Sequence, residues 1–527
     1  MESGVIGSLV HLARNLRAGF VLAREGALSL VDPSALPPAA RLAIRLARVV
    51  EKPGVGDGAA RLSASLTRLG PSYVKFGQFL ATRPDIVGVA VARDLESLQD
   101  RMAPFPRDVA IRIVEMALGR PLRAAFLDFG EPVAAASIAQ VHKARIRTPE
   151  GEETVAVKVV RPGVRERFAR DLQAMRAAAR FAERFVPDAR RLRTIEVVET
   201  LARSVAIEMD LRLEAAAVSE LAENTKDDPG FRVPKPQWDL TARDVLTTEW
   251  IDGLRLSDIE AIEAAGHERV ALGRTVIQTF LRQAIRDGYF HADMHPGNLF
   301  VDREGRIAAV DFGIMGRLGL KERRFLAEIL LGFIRRDYRR VAEVHFEAGY
   351  VPPHHSVADF AQALRAIGEP IHDRRADEIS MAKLLTLLFE VTALFDMATR
   401  TELVMLQKTM VVVEGVARVL DPKLDMWTTS EPVVRDWIER HLGPIGQIEN
   451  AGRGVRTLAG VMADLPELAL RAERVLGQLE AVTSQGIPLH PASVAAIGRA
   501  EARGYRWGVA AVWVIAIVLI AILVKAF

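Results

Sequence analysis

The stretch His291-Ala292-Asp293-Met294-His295-Pro296-Gly297-Asn298, followed by Val310-Asp311-Phe312-Gly313, decides how this chain is read. Asp293 stands five residues before Asn298, and Asn298 thirteen before Asp311. A carboxylate and an amide at the last two positions supply the oxygen ligands that a hard divalent cation on a phosphate chain requires. Asp293 is then free to orient or deprotonate an attacking hydroxyl or water. Asp293 is therefore the catalytic candidate, and Asn298 and Asp311 are the metal candidates. His291, Asp293 and His295 at alternate positions could instead ligate a hydrolytic metal. No second carboxylate-histidine cluster is legible in the sequence, so His291 is expected to support the loop backbone.

Working outward, the order and spacing are those of the catalytic loop and DFG segment of kinases. Such a site needs a strand lysine on the α- and β-phosphates, and Val155-Ala156-Val157-Lys158 has the required form, which selects Lys158. Its helix partner should be a glutamate. Glu208 in Ile207-Glu208-Met209-Asp210 leads and Glu214 is second, the gap from Lys158 implying inserted helix. Leu246-Thr247-Thr248-Glu249 occupies the hinge position, where backbone groups around Glu249 would meet adenine. A Gly-rich phosphate loop is missing. Ala134, Ala135, Ala136 and Ser137 stand there instead, and methyl groups remove the backbone freedom that glycine gives such a loop. Farther upstream, Lys75-Phe76-Gly77-Gln78 on a helix places Lys75 and Gln78 on one face, although a solvated lysine would read the same.

The surroundings fit a helix-rich protein with a small β component. Of 527 residues, 50% are hydrophobic, 6% aromatic and 26% charged, a globular balance. The 70 Lys and Arg barely exceed the 67 Asp and Glu, which gives no ground for nucleic-acid binding. The absence of cysteine excludes disulfides, thiolate metal sites and cysteine nucleophiles. Apolar residues at Val5, Leu9, Leu12, Leu16 and Phe20 predict an amphipathic helix, and a second follows around Arg41 to Val49; each would lie on anionic lipid or pack on the body. Helix is expected from Leu62 to about Val114, strands at 139–146, 155–160, 245–251, 299–301 and 307–310, and helix after Lys321. Trp507 to Val524 runs without a charge for roughly 27 Å, a transmembrane candidate. Arg503 and Arg506 before it, against Lys525 after it, put the amino-terminal bulk on the cytoplasmic side.

These motifs together resemble the UbiB family of atypical kinases, also called ABC1 or ADCK. K-x-G-Q matches at Lys75 to Gln78, the alanine loop at Ala134 to Ser137, the strand lysine at Lys158, E-x-D at Glu208 to Asp210, the H-x-D-x-H-P-G-N loop at His291 to Asn298 and DFG at Asp311 to Gly313. The resemblance implies an α+β, two-lobed protein-kinase-like fold with added amino-terminal helices, a helical carboxyl-terminal region and a transmembrane helix. The expected layout is 1–55 amphipathic helices, 56–115 K-x-G-Q extension, 116–345 kinase-like core, 346–500 helical region and 505–525 span. It further implies use of ATP or ADP with Mg2+ in support of ubiquinone biosynthesis, at the bacterial inner membrane with the kinase-like domain facing the cytoplasm. Membrane lipid and either ubiquinone-biosynthesis enzymes or lipid intermediates are the implied partners. Lys75 and Gln78 are then regulatory, the K-x-G-Q helix covering the site where a protein substrate would dock. A small-molecule phosphotransferase and a nucleotide-gated scaffold remain as alternatives.

Overall fold

The computed structural model describes residues 3–27, 58–81, 102–185, 193–371 and 401–442, with short pieces between them such as 51–52, 390–391 and 394–397. One unit spans Met1–Arg440; the second, His441–Phe527, lies almost wholly outside the described residues. The helix expected at 41–49 and the span expected at 507–524 also lie outside them. Among the described residues no helix is long and apolar enough to cross a membrane.

The first layer is an antiparallel sheet of β1 (Asp128–Ala135), β2 (Ala139–Thr148), β3 (Gly151–Val160) and, after the two-residue β4 (Phe231–Arg232) of another sheet, β5 (Val245–Glu249), in the order β1-β2-β3-β5. Alternation along β3 sends Val155, Val157 and Val159 to one buried face, where they meet the helix Arg107–Leu118. Lys158 consequently points to the opposite face, in register with Val141 and Leu246. That face is covered by three helices: Val164–Phe185, Thr194–Glu208 and Leu211–Asn224.

In chain order these helices continue the set begun by α1 (Ser3–Arg24), α2 (Gly58–Leu69), α3 (Pro71–Ala81) and α4 (Arg107–Leu118), and become α5, α6 and α7. The expectation of helix from Leu62 to about Val114 is met by α2, α3 and α4 where residues are described, and most of 82–101 lies outside them. Of the two expectations for the amino-terminal helix, packing on the body is what the structure shows. Arg14 of α1 pairs with Asp171 of α5 at 3.0 Å, and the Asn15 amide donates to the Ala174 carbonyl at 3.1 Å. Leu16 and Phe20 remain exposed.

The second lobe holds β6 (Gly253–Arg255), β7 (Tyr289–His291), β8 (Leu299–Asp302), β9 (Ile307–Ala309) and β10 (Met315–Arg317) among helices α8 (Ile259–Ala264), α9 (Arg269–Leu281), α10 (Leu320–Ile334), α11 (Tyr338–Glu347), α12 (Val357–Gly368), α13 (Thr401–Leu420) and α14 (Met426–Leu442). One small sheet has the order β4-β9-β8-β6, and β7 pairs antiparallel with β10, His291 opposite Met315. These short strands hold the two ends of the catalytic loop. The outcome is the α+β, two-lobed kinase-like arrangement with a helical carboxyl-terminal region.

Candidate active site

His291 ends β7 with its side chain fully buried. Its Nδ1 accepts from the Asp293 amide at 3.1 Å and its Nε2 faces the Val310 carbonyl at 3.4 Å, which assigns the proton to Nε2. Both nitrogens are thus turned to backbone, so His291 is no metal ligand and the hydrolytic-metal reading of this loop fails. Burial pushes its pKa down, keeping it neutral. The His291 amide donates to the Gln283 side chain at 3.1 Å, and the Thr409 hydroxyl of α13 donates to the Ala292 carbonyl at 3.0 Å. Neither Gln283 nor Thr409 carries a sequence signal. Thr409 lies 117 residues away along the chain, and only the folded packing brings it to the loop.

Pro296 starts a 3₁₀ turn that delivers Asn298, and the His295 Nδ1 accepts from the Gly297 amide at 3.0 Å. The Asn298 Nδ2 donates to the Asp293 carbonyl at 3.1 Å and to Asp293 Oδ2 at 3.3 Å. With the nitrogen committed, the amide oxygen is what Asn298 can offer a cation. Asp311 sits at φ 62, in the left-handed region, and its carboxylate is half-exposed. An amide oxygen and a carboxylate form the hard donor set that suits Mg2+, so these residues fit the ion that the sequence implies.

Lys158 joins this carboxylate to the sheet. Its Nζ lies 2.9 Å from Asp311 Oδ1 and 2.7 and 2.9 Å from the two oxygens of Glu214. Burial would strip its proton, but Asp311 and Glu214 outweigh that and raise its pKa. Lys158 in turn holds the Asp311 carboxyl well below the usual carboxylate range, aided by Lys75. Burial pushes Glu214 up despite Lys158, and the Phe312 amide hydrogen-bonds to it.

The sequence favours Glu208 for this pairing, and the structure corrects it. Glu208 is the last residue of α6 and pairs with Lys75 at 2.7 Å. Asp210 then breaks the chain direction and caps α7, accepting from the Arg212 amide at 3.2 Å, and α7 presents Glu214 to Lys158. The solvated-lysine reading of Lys75 also fails, since its side chain is only 14% exposed. Gln78 donates to the Leu98 carbonyl at 3.4 Å.

The alanine loop is tied down at several points. Ala134 and Ala135 end β1 opposite Val141 and Gln140 across a bulge, and the Ala136 amide donates to the Ala139 carbonyl at 2.8 Å. The Ala135 carbonyl accepts from the Met102 amide at 3.1 Å, the Ala136 carbonyl accepts from Arg161 at 2.6 Å, and Ser137 is fully buried. Of the backbone groups around Glu249 expected at the hinge, the Glu249 amide is already paired. It donates to the Lys235 carbonyl at 2.9 Å, and the Glu249 carboxylate pairs with Arg232, because a neighbouring stretch bridges the outer edge of β5. That amide is not open to adenine.

The ABC1 atypical kinase-like domain model matches residues 97–345, and the UbiB helical domain model matches residues 364–425. A curated "Probable protein kinase UbiB" from Marinobacter nauticus is 38% identical over 483 residues, covering 90% of this chain and 88% of that protein. The protein of the same name from Aeromonas salmonicida is 39% identical over 461 residues, covering 86% and 84%. Among solved structures, the Rv3197–erythromycin complex from Mycobacterium tuberculosis aligns at 24% identity with a TM-score of 0.47, covering 77% of this chain and 99% of that one. The motifs, the two matching family models and identity to these relatives over most of its length show that the chain belongs to the UbiB family of ABC1 atypical kinase-like proteins.

Proposed function

We propose that this chain is a kinase-like ATPase that uses Mg-ATP in support of ubiquinone biosynthesis. The observation that carries this reading is the gathering of four residues: Lys158 pairs with Asp311, the Val310 amide beside Asp311 donates to the Asn298 carbonyl, and Asn298 holds Asp293. Asp311 and the Asn298 oxygen would hold Mg2+, which supplies charge neutralisation on the phosphates. Lys158, kept protonated by its carboxylates, would hold the α- and β-phosphates. Asp293, its carboxylate oriented by Asn298, would position or deprotonate the attacking hydroxyl or water. The tied-down alanine loop and the Lys75–Glu208 pair restrict what else enters the site, which favours nucleotide turnover over protein phosphorylation. The link to ubiquinone follows from membership of the UbiB family, whose curated members here are named probable protein kinase UbiB. The uncharged run Trp507 to Val524 is the basis for assigning the chain to the inner membrane, with membrane lipid and quinone-biosynthesis enzymes or lipid intermediates as partners.

A deletion strain complemented with wild type or Asp311→Asn tests this. Quinone analysis should show ubiquinone lost in the deletion, restored by wild type and absent with Asp311→Asn; normal ubiquinone in the deletion would sink the reading. Fractionation of the wild-type strain should leave the chain in carbonate-washed membranes, and its release by carbonate would remove the anchor.

A further inference from the structure

The sequence shows only one grouping of histidine with carboxylate, yet folding makes a second. The Val351-Pro352-Pro353-His354-His355-Ser356 loop leads from α11 into α12, where Ser356 forms the cap. Asp396 approaches this loop from 41 residues beyond His355 along the chain. Its Oδ2 lies 3.1 Å from the His355 Nε2 and 3.6 Å from the His354 Nε2. The two imidazoles are 4.2 Å apart between centroids, and one ligand atom from each of the three residues falls within 4.8 Å of the others.

Those separations match a metal's coordination sphere. Tetrahedral zinc, with bonds of about 2.0–2.1 Å, places its ligand atoms roughly 3.3–3.4 Å apart, between the two measured distances. Two imidazole nitrogens and one carboxylate oxygen form a borderline donor set, which selects Zn2+ or Co2+ over Mg2+ or Ca2+. The chain has no cysteine to compete for such an ion. The His355 ring is held 5.2 Å from Phe395, and Phe395 packs at 4.9 Å on the buried Phe360 of α12. The position of His355 is therefore fixed by the apolar core behind it. His354 and Asp396 are about two-thirds exposed, at 65% and 67%, which leaves the remaining coordination position open to water.

We propose that His354, His355 and Asp396 form a transition-metal site, with Zn2+ the preferred ion, distinct from the Asn298–Asp311 pair. The two histidines fall between the regions matched by the ABC1 and UbiB helical domain models, and Asp396 falls inside the helical one. A bound ion would thus tie the helical domain to the segment leaving the kinase-like domain. It fixes segment 394–397 against the entrance to α12.

The test uses the full chain, free of any affinity histidines, in excess Mg2+ so that the carboxylate–amide pair is occupied. Titration with Co2+ should give visible d–d absorption saturating at one equivalent and displaced by Zn2+. His355→Ala and Asp396→Asn should each weaken Co2+ binding by about tenfold or more, while Asp311→Asn retains it. Zn2+ should raise the melting temperature of wild type and not of His355→Ala, because binding to the native state alone stabilises it. Absence of saturable Co2+ absorption in wild type, or equal binding in wild type and both site variants, would overturn the proposal.

Discussion

Six residues separate the glutamate that pairs with Lys158 from the one that pairs with Lys75, and their division of labour should be visible in free energy. Lys158 bridges Glu214 and Asp311, so removing Glu214 leaves it one partner and removing Glu208 leaves it both. Breaking a well-buried pair costs several kcal/mol, but the retained Asp311 reduces that here to about 1–3 kcal/mol. A double-mutant cycle in urea unfolding should therefore give a coupling of about 1–3 kcal/mol between Lys158→Met and Glu214→Gln. The cycle between Lys158→Met and Glu208→Gln should be additive within about 0.5 kcal/mol. Additivity for the Glu214 cycle would show that the pair contributes nothing to the fold.

The elements explain why K-x-G-Q is spelled with glycine. A Cβ built on Gly77 would stand 2.4 Å from Leu98 Cδ1 and 2.7 Å from Leu66 Cδ1, with Leu95 at 3.6 Å. All three leucines are buried, so their side chains have little room to move. Overpacking costs about 1–3 kcal/mol, while alanine returns roughly 1 kcal/mol of helix propensity. Gly77→Ala should thus lose about 1 kcal/mol net, read as a lower melting temperature, and a variant as stable as wild type would contradict the packing. This close approach brings α3, and with it Lys75, near Asp311. The helix phase of Lys75 and Gln78, the alternation of β3 and the spacing from Asp293 through Asn298 to Asp311 are local, and the sequence alone carries them. Pairings across distance are not. Glu208 and Glu214 look equivalent until Asp210 is seen to end one helix and cap the next. Thr409 and the His354–His355–Asp396 group depend on packing between segments far apart in the chain.

At the scale of the molecule, three histidines link the fold to pH, two of them fully buried and His345 partly so. His142 lies in the first sheet, His291 in the catalytic loop and His345 on α11, and burial lowers the pKa of each. The His142 Nδ1 donates to the Gly130 carbonyl at 2.9 Å and its Nε2 accepts from the Gln140 amide at 2.8 Å. Gln140 in turn holds both backbone groups of Phe105, so a second proton on His142 would break the tie between β2 and the segment entering α4. The His345 Nδ1 donates to the Val341 carbonyl at 2.7 Å between the rings of Tyr350 and Phe360. Above an unfolded pKa of about 6.5 both states are neutral and this stability is fully present. As pH falls below it, the unfolded chain takes up protons that the folded chain refuses, and stability declines until the lowered folded pKa values are passed. Each histidine contributes at most about 1.4 kcal/mol per pH unit, so three give at most about 4. Paired carboxylates whose pKa is lowered, among them Asp210, Asp302 and Asp311, act in the same direction but only below about pH 4, which separates the two windows. Burial raises Glu153, Glu214, Asp287 and Glu414, which act in the opposite sense, so urea midpoints should fall between about pH 7 and pH 5 by less than the histidines alone would give. A His142→Asn/His345→Asn variant should show a smaller slope than wild type, because two of the three histidines whose pKa is lowered are removed. An unchanged slope in that variant, or a flat midpoint in wild type across this window, would show that these histidines do not set the acid limit of the fold.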